Sequence, residues 1–380
     1  MKLIIAAGGT GGHIYPAIAV AEQLPAADVC FVGSQDRLES ALIQQNNFRF
    51  VGFSIKRGQP WTWPKAIANL LQFFKGHKPD AVLAFGGYVC FPVLVAAKLL
   101  DIPIILHEQN KIMGRMNRLF GLWADRICLS FPDTVHASAY ANAVLTGCPV
   151  RGAFWRVLQI ADCRLQIEKS NQNQGDEVAS KNPQSPIRNL QFIHPEFPTL
   201  VVLGGSLGAQ YFNQWILYLM QNPPAVSGQI VLICGQAAWA KLVPVEFVAQ
   251  DHWHVQAGSL RFVVLPYVSD MAGLLATADA FVARAGASTL AEMAAMGLPG
   301  VVVPYPYAMD GHQDANAQAY AQGGGVAVLL QAGLDNDQLW KAVQTVWLDE
   351  KKRIRMALAI RGMASQSAVA EILQWIKRLA

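Results

Sequence analysis

The sequence predicts a two-domain α/β protein in which each domain is built on a parallel sheet. Short runs rich in Val, Ile and Leu alternate with helical segments, as in sheets whose strands are buried on both faces. The alternation occurs twice, before and after a polar stretch near the middle of the 380-residue chain. Each half also opens with a predicted strand that leads into a glycine-rich turn, at residues 8–12 and 204–208.

Six runs in the first half are predicted strands: residues 3–7, 29–32, 81–85, 104–106, 126–129 and 144–145. Residues 18–24 and 93–100 lie between them and are predicted helices. Six more strands are predicted in the second half: residues 199–203, 230–234, 262–265, 280–282, 300–303 and 326–329. Beyond residue 335 the pattern is helical, and it ends in an amphipathic stretch at residues 368–379.

The polar stretch at residues 168–185 is rich in Asn and Gln and almost free of large apolar side chains. It buries too little surface to offset the entropy lost on ordering, so we expect a flexible insertion. The chain is accordingly divided into a first domain at residues 1–157, a linker at 158–198, a second domain at 199–355 and a C-terminal segment at 356–380.

The composition raises the question of a membrane segment, because 53% of the residues are hydrophobic and only 15% are charged. A helix that spans a bilayer needs about 20 mostly apolar residues in a row. The best candidate, residues 81–100, is interrupted by Gly86, Gly87 and Pro92. The sequence therefore predicts no spanning helix and assigns the apolar excess to buried strands.

The basic residues are unevenly distributed. Residues 56–126 contain ten Lys or Arg and four Asp or Glu, although the whole chain has a net charge of only +4. Aromatic side chains are mixed among them, which is typical of a surface that rests on anionic lipid. This predicted membrane patch comprises Trp61, Trp63, Phe73, Phe74, Arg115, Arg118, Phe120 and Trp123. The alternative is that the aromatic residues belong to the core and the charges to an ordinary solvated face.

Both glycine-rich turns are candidates for anion binding, because glycines let backbone N–H groups and the positive end of a helix approach a phosphate. Ile14 and Ala209 occupy the third-glycine position of the dinucleotide pattern, and neither turn contains the G-K-[ST] of a P-loop. This argues against a dinucleotide cofactor and against ATP hydrolysis. The six cysteines are scattered and lack metal-ligand spacing, which suits buried thiols in a reducing cytosol. We therefore expect no cofactor and no metal.

Several polar side chains follow predicted strands, where ligands bind in open α/β sheets. His13 follows the first turn and could be a base or merely a packing residue. Residues 107–110 follow another strand and favour function. Glu292 could accept the hydroxyls of a ribose or simply stabilise the helix dipole. Gln313 and Asn316 lie in a polar loop and are candidate readers of sugar hydroxyls, although such amides are usually solvated.

Six motifs occur in a fixed order along the chain: Gly8-Gly9-Thr10-Gly11-Gly12-His13, Gly86-Gly87-Tyr88, His107-Glu108-Gln109-Asn110, Gly204-Gly205-Ser206-x-Gly208-Ala209, Arg284-x-Gly286-Ala287 and His312-Gln313-x-x-Asn316. In this order the chain resembles the MurG family of bacterial N-acetylglucosaminyltransferases over nearly its whole length. The resemblance implies the GT-B architecture, in which two Rossmann-like domains with parallel sheets face each other across a cleft. It also implies that the C-terminal helix returns to the first domain.

The family transfers N-acetylglucosamine from UDP-N-acetylglucosamine to undecaprenyl-diphospho-muramoyl-pentapeptide, known as lipid I, and forms lipid II for peptidoglycan. The resemblance implies both substrates as partners, together with an anionic membrane surface but no nucleic acid. It implies a peripheral location at the cytoplasmic face of the bacterial plasma membrane. Attack by the muramoyl 4-hydroxyl from the face opposite UDP would invert the anomeric carbon.

Carried over motif by motif, the resemblance places the donor mainly on the second domain. The implied substrate-binding residues are Thr10, Gly11, Gly12, Asn110, Arg151, Ser206, Asn213, Val268, Ala287, Ser288, Thr289, Leu290, Ala291, Glu292 and Gln313. Glu292 would bind the ribose, Val268 would lie near the uracil, and Gln313 would read the sugar hydroxyls. His13 and Glu108 would face the acceptor, and either could be the catalytic base.

One departure from the family pattern concerns Arg151. Cys148 stands where the family usually has Asn, and a thiol cannot make the hydrogen bonds of an amide. Three other interpretations remain open: a UDP-N-acetylglucosamine 2-epimerase, a lipid glycosyltransferase with a diacylglycerol-type acceptor, and a non-enzymatic sugar-nucleotide-binding subunit. Polar residues predicted on both sides of the cleft favour a transferase, because a binding subunit needs only the donor half.

Overall fold

A computed structural model of the chain describes residues 1–8, 11–35, 38–55, 58–157, 193–194, 196–205, 208–245 and 250–380. The predicted flexible insertion at residues 168–185 lies outside the described residues. Within them, the chain forms two seven-stranded sheets, each covered by helices on both faces. Every helix among the described residues falls short of the length or hydropathy that a bilayer span requires.

The first sheet has the strand order β3-β2-β1-β4-β5-β6-β7, and all its neighbouring strands are parallel. Its strands are β1 Leu3–Ala6, β2 Val29–Ser34, β3 Arg49–Phe53, β4 Ala81–Ala84, β5 Ile104–Glu108, β6 Arg126–Leu129 and β7 Ala143–Leu145. Its helices are α1 Gly11–Ala21, α2 Leu38–Gln45, α3 Trp63–His77, α4 Cys90–Leu99 and α5 Arg115–Phe120. The strand order reverses beside β1, and in such sheets ligands bind at that point.

The second sheet has the order β10-β11-β9-β8-β12-β13-β14, and only the β10–β11 pair is antiparallel. Its strands are β8 Thr199–Leu203, β9 Gly228–Ile233, β10 Trp253–Ala257, β11 Leu260–Leu265, β12 Ala280–Ala283, β13 Gly300–Val302 and β14 Val326–Val328. Its helices are α6 Gln210–Gln221, α7 Gln236–Leu242, α8 Met271–Leu275, α9 Ala287–Met296, α10 His312–Gln322, α11 Asn336–Trp347 and α12 Glu350–Arg361. A last helix, α13, spans Ala368–Leu379.

Burial of both sheet faces accounts for the apolar composition. In β1, Leu3 and Ile5 belong to the hydrophobic cluster on one face, whereas Ile4 and Ala6 belong to the cluster on the other. The four side chains are inaccessible to solvent. Because alternate residues of a strand point to opposite faces, a strand covered on both sides has no polar position.

The twelve predicted strands are present, but the sequence patterns missed β3 and β10. Both are edge strands and most of their residues are exposed or half-buried, so neither forms a continuous apolar run. The first helix also begins earlier than predicted, at Gly11 rather than at residue 18. Glycines disfavour a helix on intrinsic propensity, and here tertiary packing of the turn overrides that preference.

The C-terminal helix α13 packs on the first domain. Ile372 and Ile376 are buried in the same cluster as Leu3, and the Arg126 guanidinium lies 3.7 Å from the Trp375 ring centroid. Helix α12 instead packs on the second domain, where Ile360 is buried. The chain therefore leaves the second domain after α12, later than the expected boundary at residues 355 and 356.

Candidate active site

The first glycine-rich turn connects β1 to α1 and positions His13. Its imidazole Nδ1 lies 2.9 Å from the Gly8 carbonyl oxygen. Because a carbonyl can only accept, Nδ1 carries the proton and Nε2 presents a lone pair. Burial lowers the pKa of His13, and the nearby His312 lowers it further, against the effect of the Gly8 hydrogen bond. His13 is therefore a neutral imidazole with an available acceptor nitrogen.

Gly86 and Gly87 lie next to the His13 imidazole. Both have positive φ, 96° and 86°, which side-chain-bearing residues rarely adopt. A Cβ on Gly87 would lie 2.4 Å from the Gly8 carbonyl oxygen, so the two backbones can approach only because this residue is glycine. The Gly86-Gly87-Tyr88 motif therefore lets the chain pack closely against the first glycine-rich turn.

Glu108 ends β5 and is 1% exposed. Its Oε1 accepts from the backbone N–H of Asn110 at 2.9 Å and from Asn110 Nδ2 at 3.1 Å. Its Oε2 accepts from the backbone N–H of Gly114 and from Asn117 Nδ2, both at 2.8 Å. Burial raises the pKa of Glu108, and these four donors counteract the increase. Both carboxylate oxygens are thus occupied by donors of the first domain.

His107 and Gln109 are also buried. His107 Nε2 lies 3.1 Å from the Gly147 carbonyl oxygen, and Gln109 Nε2 donates to His107 Nδ1 at 3.0 Å. Burial lowers the pKa of His107 to about 4, although the Gly147 hydrogen bond works in the opposite direction. This histidine therefore joins β5 to the turn that precedes Arg151.

Arg151 reaches from the first domain to Glu292 of the second. Its Nη2 lies 2.8 Å from Glu292 Oε1, and its guanidinium stacks 4.3 Å from the centroid of Tyr15 and 5.0 Å from that of Phe154. Burial alone would lower the pKa of Arg151, but the Glu292 carboxylate raises it. The rings and the carboxylate fix this arginine. Cys148, whose Sγ is directed to the Pro149 carbonyl at 3.9 Å, takes no part.

Helix α9 supplies the second-domain side of the cleft, and it packs against α1 of the first domain. Its N-cap is Gly286, and its first residues, Ala287 and Ser288, are buried where α9 meets the first domain. Leu290 and Ala291 are different, because both side chains belong to the hydrophobic core, and the Leu290 N–H donates to the Gly286 carbonyl. Leu290 and Ala291 stay predicted binding residues, but their side chains are packed within the protein.

Asn213 and the second glycine-rich turn both approach the carbonyl of Cys234. Its Nδ2 donates to the Cys234 carbonyl oxygen at 3.2 Å, and a Cβ on Gly208 would lie 2.2 Å from that same oxygen. Val268 is buried beside this region in the second-domain core, next to the exposed Tyr267. Of the other predicted binding residues, Thr10 and Ser206 lie outside the described residues.

Gln313 occupies the first turn of α10. Its Oε1 accepts from the backbone N–H groups of Ala285 and Tyr305, at 3.2 and 2.9 Å. These bonds fix the orientation of the amide and direct its Nε2 donor away from them. Arg284 is buried below, where it donates to the carbonyl oxygens of Val303 and Pro304. Asn316, a candidate sugar reader in the sequence, is inaccessible to solvent and uses its amide within the protein.

The predicted membrane patch is only partly at the surface. Phe74 and Phe120 are core residues, each 1% exposed, because Phe74 shares the buried face of α3 with Leu70, and Phe120 ends α5 on its inner side. Trp63 and Phe73 are half-buried. Trp61 and Trp123 are 72% and 46% exposed, and the sequence analysis missed Leu99 and Leu122, which are 63% and 82% exposed.

A row of ring contacts connects the two parts of the patch. Trp63 packs on Phe91 at 4.7 Å, Phe91 on Phe120 at 5.4 Å, and Phe120 on Trp123 at 5.2 Å between ring centroids. At its border Arg115 and Arg118 both pair with Asp310 of the second domain, at 2.9 and 3.1 Å. The rings of Trp63 and Trp123 are therefore connected through the buried Phe120.

The described residues contain no cluster of three or more His, Cys, Asp or Glu side chains that could hold a metal ion. The five cysteines among them are buried free thiols, and burial raises the pKa of Cys148 to about 12.

Two parallel α/β domains with polar groups converging in the cleft between them define a glycosyltransferase of the GT-B class. Residues 3–129 match the glycosyltransferase family 28 N-terminal domain, and residues 199–372 match the family 28 C-terminal domain. A relative from Desulfitobacterium hafniense (strain Y51) is 32% identical over 98% of this chain and 97% of its own. It is the UDP-N-acetylglucosamine–N-acetylmuramyl-(pentapeptide) pyrophosphoryl-undecaprenol N-acetylglucosamine transferase of that organism. The chain belongs to glycosyltransferase family 28 and, within it, to the MurG family.

Solved structures agree with this assignment. A crystal structure of MurG from Acinetobacter baumannii superposes with a TM-score of 0.71 at 29% identity, and the match covers all of both chains. A UDP-GlcNAc 2-epimerase from Neisseria meningitidis, bound to UDP-GlcNAc, gives a TM-score of 0.65 over all of both chains. At 14% identity the epimerase shares the fold alone. The predicted GT-B fold and the prediction of a hexosyltransferase are confirmed.

Proposed function

We propose that this chain transfers N-acetylglucosamine from UDP-N-acetylglucosamine to the 4-hydroxyl of the muramoyl sugar of the undecaprenyl-diphospho-linked pentapeptide acceptor. The observation that carries the proposal is the pairing of two helix starts across the cleft. Helix α1 brings the neutral His13 from the first domain, and α9 brings Glu292 from the second. The proposed acceptor-side and donor-side groups thus come from different domains and meet in the cleft, which suits transfer between two substrates.

His13 is the proposed catalytic base. As the acceptor oxygen bonds to the anomeric carbon and the bond to the UDP oxygen breaks, the hydroxyl proton passes to His13 Nε2. Attack from the face opposite UDP inverts the anomeric carbon and gives a β-linked disaccharide. Glu108 is a weaker candidate for the base, because its two oxygens already accept four hydrogen bonds.

On the donor side, Glu292 is proposed to bind the ribose hydroxyls, and Gln313 Nε2 to donate to a sugar hydroxyl. The start of α9 and the Arg151 guanidinium are suited to stabilise the negative charge on the departing UDP. In the structure Arg151 and Glu292 bind each other at 2.8 Å. The ribose must therefore share or replace this contact, which leaves Arg151 available to the diphosphate.

The acceptor carries a lipid, and the exposed side chains of Trp61, Leu99, Leu122 and Trp123 support a membrane-resting surface. We propose that the first domain lies on the cytoplasmic face of the bacterial plasma membrane, as a peripheral protein. Aromatic rings beside guanidinium groups suit the interface with anionic headgroups. This arrangement would bring the acceptor's headgroup to the cleft without extraction of its lipid.

Incubation with UDP-N-acetylglucosamine and a short-chain lipid I analogue tests the proposal, with UDP release followed optically and the disaccharide by mass spectrometry. We expect both products in equal amounts, and a loss of about 10²- to 10⁴-fold in kcat for His13→Gln. His254→Gln, a change at an exposed position of β10, should leave kcat unchanged. UDP release without the disaccharide would contradict the proposal and favour an epimerase or a hydrolase.

A further inference from the structure

Asn316 is a buried amide that belongs to both domains. It lies in α10 of the second domain and is inaccessible to solvent. Its Oδ1 accepts from the backbone N–H of Lys111 at 2.8 Å, and its Nδ2 donates to Asn110 Oδ1 at 3.1 Å. Nδ2 also donates to the Ala285 carbonyl oxygen at 3.1 Å, immediately before the start of α9. Two of its three bonds thus cross the cleft.

The first-domain partner of this amide is itself fixed. Asn110 donates to Glu108 Oε1 through both its backbone N–H and its Nδ2. Because a carboxylate only accepts, the Nδ2 of Asn110 must face Glu108 and its Oδ1 must face Asn316. The Nδ2 of Asn316 must then face the Oδ1 of Asn110. The three side chains, Glu108, Asn110 and Asn316, therefore have only one possible hydrogen-bonding arrangement.

We propose that Asn316 is a positioning residue that holds the two domains in the register needed for transfer. It ties the turn after β5, which lies on the first domain with His13, to the residue that precedes α9. The inference rests on the proposed function, because the register matters only if the two domains carry different substrates. Water can satisfy these groups once the cleft opens, so the contact favours the closed arrangement without being required for folding.

The substitution Asn316→Asp tests the proposal with little change in volume. It replaces Nδ2 by an oxygen that faces two acceptors, Asn110 Oδ1 and the Ala285 carbonyl, so both bonds become repulsive. We expect kcat with the lipid I analogue to fall about 30- to 100-fold. The dissociation constant for UDP, measured by calorimetry, should change less than about threefold, because the proposed donor residues lie mainly on the second domain.

A second measurement reports on the domains without turnover. Lys98 of α4 and Lys341 of α11 are both exposed, and spin labels on Lys98→Cys and Lys341→Cys would give the distance between the domains. The five described native cysteines are buried, and Cys163, which lies outside the described residues, is replaced by Ser so that it takes up no label. We expect Asn316→Asp to broaden this distance distribution and shift it to longer values. Asn316→Ala removes the bonds without adding charge and carries the same expectations, should the aspartate variant not fold.

Two comparisons complete the test. Asn222→Asp is the matched control, because it removes a similar bond, from Nδ2 to the Tyr218 carbonyl at 3.1 Å, at an exposed site within one domain. Its kcat and distances should equal those of the wild type. Asn110→Ala combined with Asn316→Ala should lower kcat by less than the product of the two single effects, since the bond between the two amides is lost in each single variant.

The proposal would be overturned if Asn316→Asp kept kcat within threefold of the wild type. An unchanged distance distribution, or UDP affinity that weakens as much as kcat falls, would overturn it as well. Failure of the proposed function gives a different result: the wild type would then make no disaccharide at all, whereas the distance and UDP-binding measurements would still report on Asn316.

Discussion

The buried His107 makes a specific prediction about stability at acid pH. Its pKa is about 4 in the folded chain, against 6.5 for an unperturbed histidine. As the pH falls, the unfolded chain therefore takes up this proton before the folded chain does. The contribution of His107 to the free energy of unfolding is retained above pH 6.5 and is lost progressively between pH 6.5 and pH 4.

The size of the loss follows from the two values. Each pH unit in this interval costs about 1.4 kcal/mol, so lowering the pH from 6.5 to 5 costs about 2 kcal/mol. His107 is inaccessible to solvent, so no screening by water reduces this figure. His107→Gln removes the titration and retains an amide donor for the Gly147 carbonyl, at some cost in stability at every pH.

Urea unfolding of both chains at pH 7.5 and pH 5 measures the effect. The wild type should lose about 2 kcal/mol more than His107→Gln over this interval. His136→Asn is the control, because it removes an exposed imidazole at a left-handed position, φ 74°, that Asn tolerates. Equal losses for wild type and His107→Gln, within about 0.5 kcal/mol, would refute the buried neutral state.

Two further predictions concern the substrates. Glu292→Gln should raise the KM for UDP-N-acetylglucosamine about 10- to 100-fold and change kcat by less than about threefold. The reason is that charge-assisted bonds to the ribose are lost in the ground state as much as in the transition state. Initial-rate measurements test this, and an unchanged KM would exclude Glu292 from the donor site. Trp61→Ser combined with Leu122→Ser should weaken flotation with anionic vesicles at low salt by about tenfold or more. Val245→Ser, at a position of the second domain that is 87% exposed, should bind like the wild type. Equal flotation of all three proteins would show that the patch lies elsewhere.

Sequence patterns predicted the architecture because the information is local. Apolar strands such as β1 and β4 have no polar position, and the turns that follow strands need glycine. The strands β3 and β10 carry no such signal, because the residues of both are exposed or half-buried. The family resemblance supplied the cleft, which no periodicity could have indicated.

The candidate site was harder to predict, because the sequence lists polar residues but not the atoms they face. Glu108 and Asn316 belong to recognisable motifs, yet their polar atoms bind other protein groups. Leu290 lies in the middle of a predicted binding motif, and its side chain faces the core. Conversely, burial raises the pKa of Tyr15 to about 12, and the contact with Tyr267 across the cleft adds to the increase, although no motif contained either residue.

The return of α13 to the first domain has a mechanical consequence. The chain passes between the domains twice, once between β7 and β8 and once after α12, and the two passages touch. Ser365 Oγ donates to the Thr146 carbonyl at 3.0 Å, and a Cβ on Gly147 would collide with Ser365. A rotation of one domain about this contact would open the cleft while the two connections stay together, so Thr146, Gly147 and Ser365 mark the expected position of a hinge axis.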